Sequence, residues 1–403
     1  MLYLGAGVAA GVSAARAGLM PPLELDQART AQVLIEAGLI VGLFCAGLKL
    51  TAPLDLAHWR LPLRLAAITL PVTAALTAGA ARVLLGLPIE EAVVLGVILA
   101  PTDPVLAGCL EHPNVESRGT PRFVLLAEGA LTSSLALPLL MFAIGFAGER
   151  DLGPLAARWL ALDVVWAVAG GALLGALIGT LAARALSHLD GRAETQWLAV
   201  LFAASALAAT YGAACIVQVN GLAAALAAGM AFSRGGLALR GGRVGWAGGS
   251  RPNRLAQQLA AGADRIEHSI ELAACLLIGL LLAGSMAHPA LVLFALLMLV
   301  AVRPLAAGLG IGAALPRVRL APGERRGAAE RLDTSGERRT LAWFGVRGIA
   351  SLYCLSLVID GPAVGNGGDL AAITLVVLAT SIALHGLTAV PLGKRPARVQ
   401  GSR

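Results

Sequence analysis

The stretch Gly96-Val97-Ile98-Leu99-Ala100-Pro101-Thr102-Asp103-Pro104-Val105-Leu106-Ala107 decides the fold of this chain, because it interrupts an apolar run at one point. Pro101 and Pro104 cannot both lie in an unbroken helix, since each removes a backbone donor and clashes with the preceding turn. Asp103 stands between them, and a carboxylate in such apolar sequence costs a few kcal/mol unless it has a partner. We therefore expect a broken membrane helix with Asp103 at the interruption, either as part of an ion site or only as the cap of a half-helix.

A second carboxylate follows in the apolar segment Phe123–Phe146, where Glu128 precedes Thr132, Ser133 and Ser134. A broken helix with a carboxylate, beside a helix with a carboxylate and hydroxyls, is typical of the ion sites of transporters. The alternative is that Glu128 is a paired structural charge.

Composition indicates a membrane protein. Of the 403 residues, 57% are hydrophobic and 14% are charged, and the mean hydropathy is +0.78, whereas about a quarter of the residues in a soluble domain are charged. The net charge of +7 comes from basic residues in short connections between apolar runs, which is the positive-inside pattern of membrane proteins. Aromatic residues make up only 4%, too few for base-stacking platforms. Nucleic acid is therefore excluded as a partner, and membrane lipid is expected.

About twelve apolar segments are long enough for one crossing of roughly 20 residues each. The fourth is Ala92–Leu110 and the eleventh is Leu341–Ile359. Residues 1–403 are thus predicted to form a single transmembrane domain, with basic cytoplasmic loops at 233–262 and 316–339. Lys and Arg concentrate after the even-numbered segments, which predicts that both termini are cytoplasmic. No cleavable signal peptide is expected, because no basic stretch precedes the first apolar run.

A second interruption lies in the eleventh segment, where Phe344-Gly345-Val346-Arg347-Gly348-Ile349-Ala350-Ser351 places an arginine between glycines. Arg347 keeps its proton at accessible pH. If it is buried, it requires either a carboxylate, for which Glu128 and Asp103 are candidates, or several carbonyl oxygens. The first interruption lies in the middle one of segments three to five, and the second lies in the middle one of segments ten to twelve. Inverted repeats with a discontinuous helix in each half are a common transporter plan, and the site then lies where the breaks meet.

Other charged and titratable residues lie in the apolar segments. Glu36 and Asp163 lie inside segments two and six, and Arg303 is a candidate for pairing across the bundle. His385, near the end of segment twelve, is either a proton relay or a hydrogen-bonded interfacial residue. The five cysteines lie singly, so neither a zinc site nor a redox pair is indicated.

With these residues in view, the chain resembles the monovalent cation:proton antiporter superfamily, and most of all its bacterial sodium/proton exchangers. The matching stretches are residues 43–48, 100–107, 128–138, 344–353 and 381–389. The resemblance implies an all-α polytopic membrane protein with inverted repeats and two broken, crossing helices, segments four and eleven. It also implies a homodimer in a bacterial inner (cell) membrane, elevator-type alternating access, and exchange of Na⁺, Li⁺ or K⁺ for H⁺.

One departure from the family pattern concerns the ion site. Members usually carry an asparagine-aspartate pair after the glutamate, and that aspartate binds cation and proton in turn; here Thr132-Ser133 stands in its place. The glutamate matching Glu128 tends to pair in the family with the arginine matching Arg347, which makes Arg347 a structural charge. An antiporter needs a group for which proton and cation compete, with a pKa lifted by desolvation. Serine does not titrate in the working pH range, so Asp103 is the best remaining carboxylate for this role.

The predicted ion- and proton-binding residues are accordingly Thr102, Asp103, Glu128, Thr132 and Ser133. Among them Asp103, Thr132 and Ser133 are the predicted ligands of the transported cation, since carboxylate and hydroxyl oxygens suit a hard cation. With one free carboxylate, exchange is expected to be electroneutral. The alternative is a non-exchanging homologue that acts as a sensor, a conduit or a partner subunit. No cofactor is expected, and an enzyme is disfavoured because no nucleophile, base and oxyanion constellation occurs.

Overall fold

The structure is a computed structural model that describes residues 2–17, 25–52, 54–104, 121–187, 195–238, 254–282, 289–312, 335–359 and 367–393. Within these ranges all regular secondary structure is helical. The helices are α1 (Leu2–Arg16), α2 (Leu25–Lys49), α3 (Leu56–Ala80), α4 (Ile89–Ile98), α5 (Pro121–Phe146), α6 (Gly170–Ser187), α7 (Thr195–Val217), α8 (Gly221–Ala238), α9 (Arg254–Leu282), α10 (Pro289–Gly312), α11 (Ser335–Trp343), α12 (Ile349–Val358) and α13 (Gly367–Gly393). Short π-helical segments follow α3 (Ala81–Leu85), precede α6 (Leu160–Ala169) and interrupt α10 (Met298–Val302).

Among the described residues, 7 helical stretches are long and apolar enough to cross a membrane. They cover residues 29–49, 58–85, 121–146, 154–186, 198–217, 289–312 and 367–388. Gly221–Arg234 and Ile349–Val358 are apolar but shorter. The protein is therefore an all-α polytopic membrane protein, as the sequence predicts, while the number of about twelve crossings stays a prediction.

Both expected helix interruptions are present. The helix α4 ends at Ile98, and residues 100–103 are not helical. The helix α11 ends at Trp343, residues 344–348 are not helical, and α12 begins at Ile349. We call residues 99–104 the first break and residues 344–348 the second break. Residues 105–120, where the fourth segment was expected to resume, lie outside the described residues, as do 239–253 and 316–334 of the basic loops.

The helices around the breaks pack into one group. The helix α10 lies against α3, and α4 contacts both α12 and α13. Segments three to five correspond to α3–α5, and segments ten to twelve correspond to α10–α13. Apolar side chains from these two units share one buried cluster, which includes Leu95, Ile98, Leu140, Phe294, Met298 and Leu355. The two units that the sequence pairs as inverted repeats thus share a core.

The remaining helices form a second group, in which small residues allow close packing. The helix α8 lies between α6 and α2, and α9 packs on α1 and α2. Gly175 and Gly179 of α6 lie against the backbone of Ala224 and Ala228 of α8, and a Cβ at either glycine would overlap that backbone. Such small-residue contacts hold membrane helices together, because lipid provides no hydrophobic drive between them.

Asn220 determines where α8 begins and connects the two groups. Its Oδ1 accepts hydrogen bonds from the backbone N–H groups of Leu222 (2.9 Å) and Ala223 (3.1 Å), as an N-cap residue does. Its Nδ2 donates to the carbonyl oxygen of Ser134 on α5 at 2.9 Å. The start of α8 is therefore attached to α5, the helix that carries Glu128, Thr132 and Ser133.

Candidate functional site

The two breaks meet and satisfy each other's backbone groups. The N–H of Asp103 donates to the carbonyl oxygen of Val346 at 2.8 Å. The Arg347 guanidinium Nη1 donates to the carbonyl oxygens of Pro101, at 3.0 Å, and of Ala100. A backbone that leaves the helix at membrane depth needs such partners, because lipid offers none. The contact between the breaks therefore follows from the hydrogen-bonding needs of both.

The carboxylate of Asp103 lies at the N-terminus of α12. Its Oδ2 accepts a hydrogen bond from the backbone N–H of Ile349, the first residue of that helix, at 3.0 Å. Asp103 is only 9% exposed, and it lines a small cavity together with Arg303 and Val346. The unpaired N–H groups and the positive dipole end of a helix N-terminus both favour an anion at this position.

Gly348 makes this arrangement sterically possible. A Cβ built at Gly348 would overlap Oδ2 of Asp103. On the other side of the break, a Cβ at Gly129 of α5 would lie 2.8 Å from the backbone nitrogen of Pro104. The first break is thus held between two glycines, one on each neighbouring segment.

Glu128 pairs with Arg303 of α10, and the direct pair with Arg347 that the family resemblance implies is not formed. The Arg303 Nη1 and Nη2 atoms donate to Oε1 and Oε2 of Glu128 at 2.6 and 3.0 Å, and Thr69 donates to Oε1 at 3.0 Å. Arg303 also donates to the carbonyl oxygen of Phe344 at 3.0 Å. Both partners are 1% exposed. The pair neutralises Glu128 and joins α5 and α10 to the second break.

Arg347 donates to carbonyl oxygens, which the sequence allowed as the alternative to a carboxylate partner. Its side chain is completely buried, and its guanidinium donates to the first break. Its backbone N–H donates to the hydroxyl of Ser381 on α13 at 3.1 Å. Arg347 therefore connects the two breaks, and Arg303 neutralises the charge of Glu128.

The hydroxyls predicted as cation ligands hold the first break against α5. The Ser133 hydroxyl donates to the carbonyl oxygen of Thr102 at 3.0 Å. The Thr132 Oγ1 accepts from the N–H of Thr102 at 3.3 Å and lies 3.0 Å from the Thr102 hydroxyl. Thr132 and Ser133 are therefore brought next to Thr102, the chain neighbour of Asp103, and the Ser133 hydroxyl oxygen keeps its lone pairs for a further partner.

His385 is a buried residue of α13 that lies beside the C-terminal end of α11. Its Nε2 is 3.2 Å from the carbonyl oxygen of Trp343, and its Nδ1 is 2.9 Å from that of Ser381. The structure therefore places His385 in hydrogen bonds with backbone at the edge of the second break.

The sequence reasoning missed Thr69 and did not resolve the choice of arginine. Thr69 is a hydroxyl in an apolar stretch of α3, which is a weak signal because such residues often bond their own helix. A stronger signal for Arg303 was its position beside Pro304 in an apolar segment, although position alone does not name a partner.

Comparisons with known proteins agree with this architecture. A profile of the family described as "Sodium/hydrogen exchanger, transmembrane" matches residues 1–242. A Schizosaccharomyces pombe protein, named as a probable Na(+)/H(+) antiporter, is 28% identical over 204 residues. That alignment covers 48% of this chain and 26% of the yeast protein, so the match spans about a quarter of the relative's length.

Two solved structures of the sodium proton antiporter MjNhaP1 from Methanocaldococcus jannaschii are also similar. The structure at pH 8 has a TM-score of 0.61 at 16% identity and covers 98% of each chain. The electron-microscopy map has a TM-score of 0.66 at 16% identity and covers 100% of this chain and 98% of the other. At this identity the similarity shows a shared fold. Since the family profile extends over more than half of the residues, the chain belongs to the sodium/hydrogen exchanger family of transmembrane proteins.

Proposed function

We propose that the chain is a secondary antiporter that exchanges a monovalent cation, Na⁺, Li⁺ or K⁺, for H⁺ across a membrane. The observation that carries the proposal is the buried carboxylate of Asp103 at the joined breaks, where it accepts the N–H of Ile349. A carboxylate in this position has a proton and a cation as alternative partners. Membership of the exchanger family and the similarity to a probable Na(+)/H(+) antiporter support the same activity.

Asp103 is the titrating group in this proposal because its neighbours are committed elsewhere. Glu128 is neutralised by Arg303, and Ser133 has no carboxylate. Thr102, Thr132 and Ser133 provide neutral oxygens for the cation beside Asp103. One carboxylate that releases one proton for each cation bound makes the exchange electroneutral.

The transport cycle in this proposal is an elevator-type movement of the helices around the breaks. The helices α3–α5 and α10–α13 share a buried core and the ion pair of Glu128 with Arg303, which supports their moving as one body against α1, α2 and α6–α9. We further propose that residues 1–403 act as one transmembrane domain with both termini cytoplasmic. We also propose that the chain forms a homodimer in a bacterial inner membrane, where lipid surrounds it.

The identity of residue 133 favours a second candidate function, a non-exchanging homologue that serves as a sensor, a conduit or a partner subunit. Ser133 donates its hydroxyl to the Thr102 carbonyl oxygen, at a position where the family resemblance implies an acid. A protein that has lost this acid retains the fold while its coupling of cation to proton is removed.

Proton flux in everted membrane vesicles tests the two candidates. A pH gradient is established, and Na⁺, Li⁺ and K⁺ are added in turn to vesicles with the wild type, Asp103→Asn or Asp163→Asn. Asp163 is the matched control, because it is another carboxylate in an apolar segment and pairs with Arg150 at 3.0 Å outside the site. We expect at least one cation to dissipate the gradient with the wild type and with Asp163→Asn, and none to do so with Asp103→Asn.

Two results contradict the proposal. If folded wild-type protein gives no flux with any of the three cations, the non-exchanging function replaces it. If Asp103→Asn retains full coupled flux, Asp103 is only a helix cap and another group carries the proton. Electroneutrality has its own test, because collapsing the membrane potential with valinomycin leaves the rate of an electroneutral Na⁺ exchange unchanged.

A further inference from the structure

A carboxylate inside α2 lies outside the site described above and contacts both groups of helices. Glu36 Oε1 accepts a hydrogen bond from the hydroxyl of Tyr211 on α7 at 2.7 Å and from that of Tyr353 on α12 at 3.1 Å. The surrounding sequence of α2, residues 29–49, is apolar enough to cross a membrane. A carboxylate there requires partners, and two phenols from different helices provide them.

Glu36 differs from Glu128 and Asp163 in having no basic partner among the described residues. Glu128 pairs with Arg303, and Asp163 pairs with Arg150. Within the part of the chain that the structure describes, no Lys, Arg or His forms an ion pair with Glu36. Phenol hydrogen bonds solvate a carboxylate without cancelling its charge. Its negative charge is therefore available to a free cation.

The helix α12 connects this carboxylate to Asp103. Tyr353 lies one helical turn after Ile349, whose N–H donates to Asp103. Gly38, two residues after Glu36, packs against Ile349 so closely that a Cβ there would lie 3.0 Å from the Ile349 Cδ1 atom. The first turn of α12 is thus in contact with Asp103 on one side and with α2 on the other.

We propose that Glu36, Tyr211 and Tyr353 form a second binding site for the transported monovalent cation. The site has three oxygen-bearing groups, one charged carboxylate and two neutral phenols, and oxygen is the ligand that hard cations prefer. On binding, the phenol O–H groups rotate away from Glu36 and present oxygen lone pairs to the cation, while the carboxylate balances its charge. The inference rests on the proposed function for the identity of the cation, and it supplies a second carboxylate in a chain that lacks one at Ser133.

Fluorine NMR of protein labelled with meta-fluorotyrosine tests this site without measuring transport. The chain has 3 tyrosines, at positions 3, 211 and 353, and the variants Tyr211→Phe and Tyr353→Phe assign the signals. Purified protein in detergent is titrated with Li⁺, Na⁺ and K⁺ chloride at constant pH and ionic strength, with choline chloride as the balancing salt. We expect the Tyr211 and Tyr353 signals to shift with a common midpoint, while the Tyr3 signal stays in place.

Variants separate this site from the one at Asp103. The shift should persist in Asp103→Asn and in the matched control Asp163→Asn, and its midpoint should rise at least tenfold in Glu36→Gln. The glutamine variant keeps an oxygen that accepts both phenol hydrogen bonds, so its signals without cation report whether the local fold is intact. Glu36→Asp shortens the carboxylate but retains the charge, and it should bind more tightly than Glu36→Gln.

Three results overturn the inference. The first is the absence of any cation-dependent shift of Tyr211 and Tyr353 in the wild type. The second is a shift that Asp103→Asn removes and Glu36→Gln retains, because the tyrosines then report binding at Asp103 through α12. The third is an equal shift with choline chloride, which indicates a general salt effect. Loss of proton flux in vesicles bears on the proposed function and does not decide this test.

Discussion

The backbone N–H of Asp103 donates to the carbonyl oxygen of Val346 at 2.8 Å, and this hydrogen bond joins the two breaks of the fold. A helix that ends inside a membrane leaves donors and acceptors that water cannot reach, and each unsatisfied group costs several kcal/mol. Here the breaks satisfy each other, and Arg347 adds donors to Pro101 and Ala100. The same hydrogen bonds hold the Asp103 carboxylate at the start of α12.

The ion pair of Arg303 with Glu128 yields the first prediction. Arg303→Ala strands a buried carboxylate, and removing one partner of a buried pair typically costs about 3–5 kcal/mol. We expect a large drop in the melting temperature of the detergent-solubilised protein, and Arg303→Ala with Glu128→Gln should recover part of it. A double variant no more stable than the single one would show that the pair is not energetically coupled.

Arg347 gives the second prediction, in which the expected effect of Glu128→Gln is the opposite of that in the first. Its side chain donates to carbonyl oxygens of the first break, so Arg347→Ala leaves those oxygens without donors and does not strand Glu128. We expect a comparable loss of melting temperature that Glu128→Gln does not recover. If Glu128→Gln recovers the melting temperature of Arg347→Ala, then Arg347 is the partner of the Glu128 carboxylate.

The third prediction concerns position 133, where the family resemblance implies an acid and this chain has serine. Ser133→Asp places a second titratable group one residue from Thr132 and beside the carbonyl oxygen of Thr102. We expect it to raise cation-dependent proton flux in vesicles or to shift the pH profile of that flux. Ser134→Asp is the control, since Ser134 bonds the Ala130 carbonyl of its own helix at 2.7 Å. An equal response of both variants would remove any special role of position 133.

The contact of Gly348 with Asp103 gives the fourth prediction. Gly348→Ala introduces a Cβ where the Asp103 carboxylate lies, and overpacking of a core typically costs about 1–3 kcal/mol. We expect a lower melting temperature and loss of proton flux. Gly79→Ala should keep or raise the melting temperature, because among the described residues no atom outside its own stretch of helix lies within 4 Å of its Cβ position and alanine is about 1 kcal/mol more favourable than glycine in a helix. Equal behaviour of the two variants would contradict the steric argument.

The cap of α8 gives the fifth prediction. Asn220→Ala removes the acceptor for two N–H groups and the donor to Ser134, and loss of an N-cap typically costs about 0.5–2 kcal/mol. We expect a lower melting temperature, most of which Asn220→Ser recovers, because serine restores the capping oxygen. If Asn220→Ser is as unstable as Asn220→Ala, the contact with Ser134 matters more than the cap.

Features that depend on local chain chemistry were predictable from the sequence. The first break follows from Pro101 and Pro104, which prevent a continuous helix whatever surrounds them. The second break was indicated by an arginine between Gly345 and Gly348 in apolar sequence. The all-α membrane fold follows from apolar segments of the length that a bilayer requires. Each of these inferences uses residues that are neighbours in the chain.

The pairing of charges was decided only by the tertiary structure. The sequence offered Arg347 and Arg303 as buried bases, and which of them reaches Glu128 depends on how α10 packs on α3 and α5. Arg347 donates to the carbonyl oxygens of Ala100 and Pro101, which come within its reach because the two breaks meet in space. The phenol partners of Glu36 come from two helices far away in the chain. Proline and glycine act on their own backbone, whereas a buried charge selects its partner by distance in space, which the order of residues does not specify.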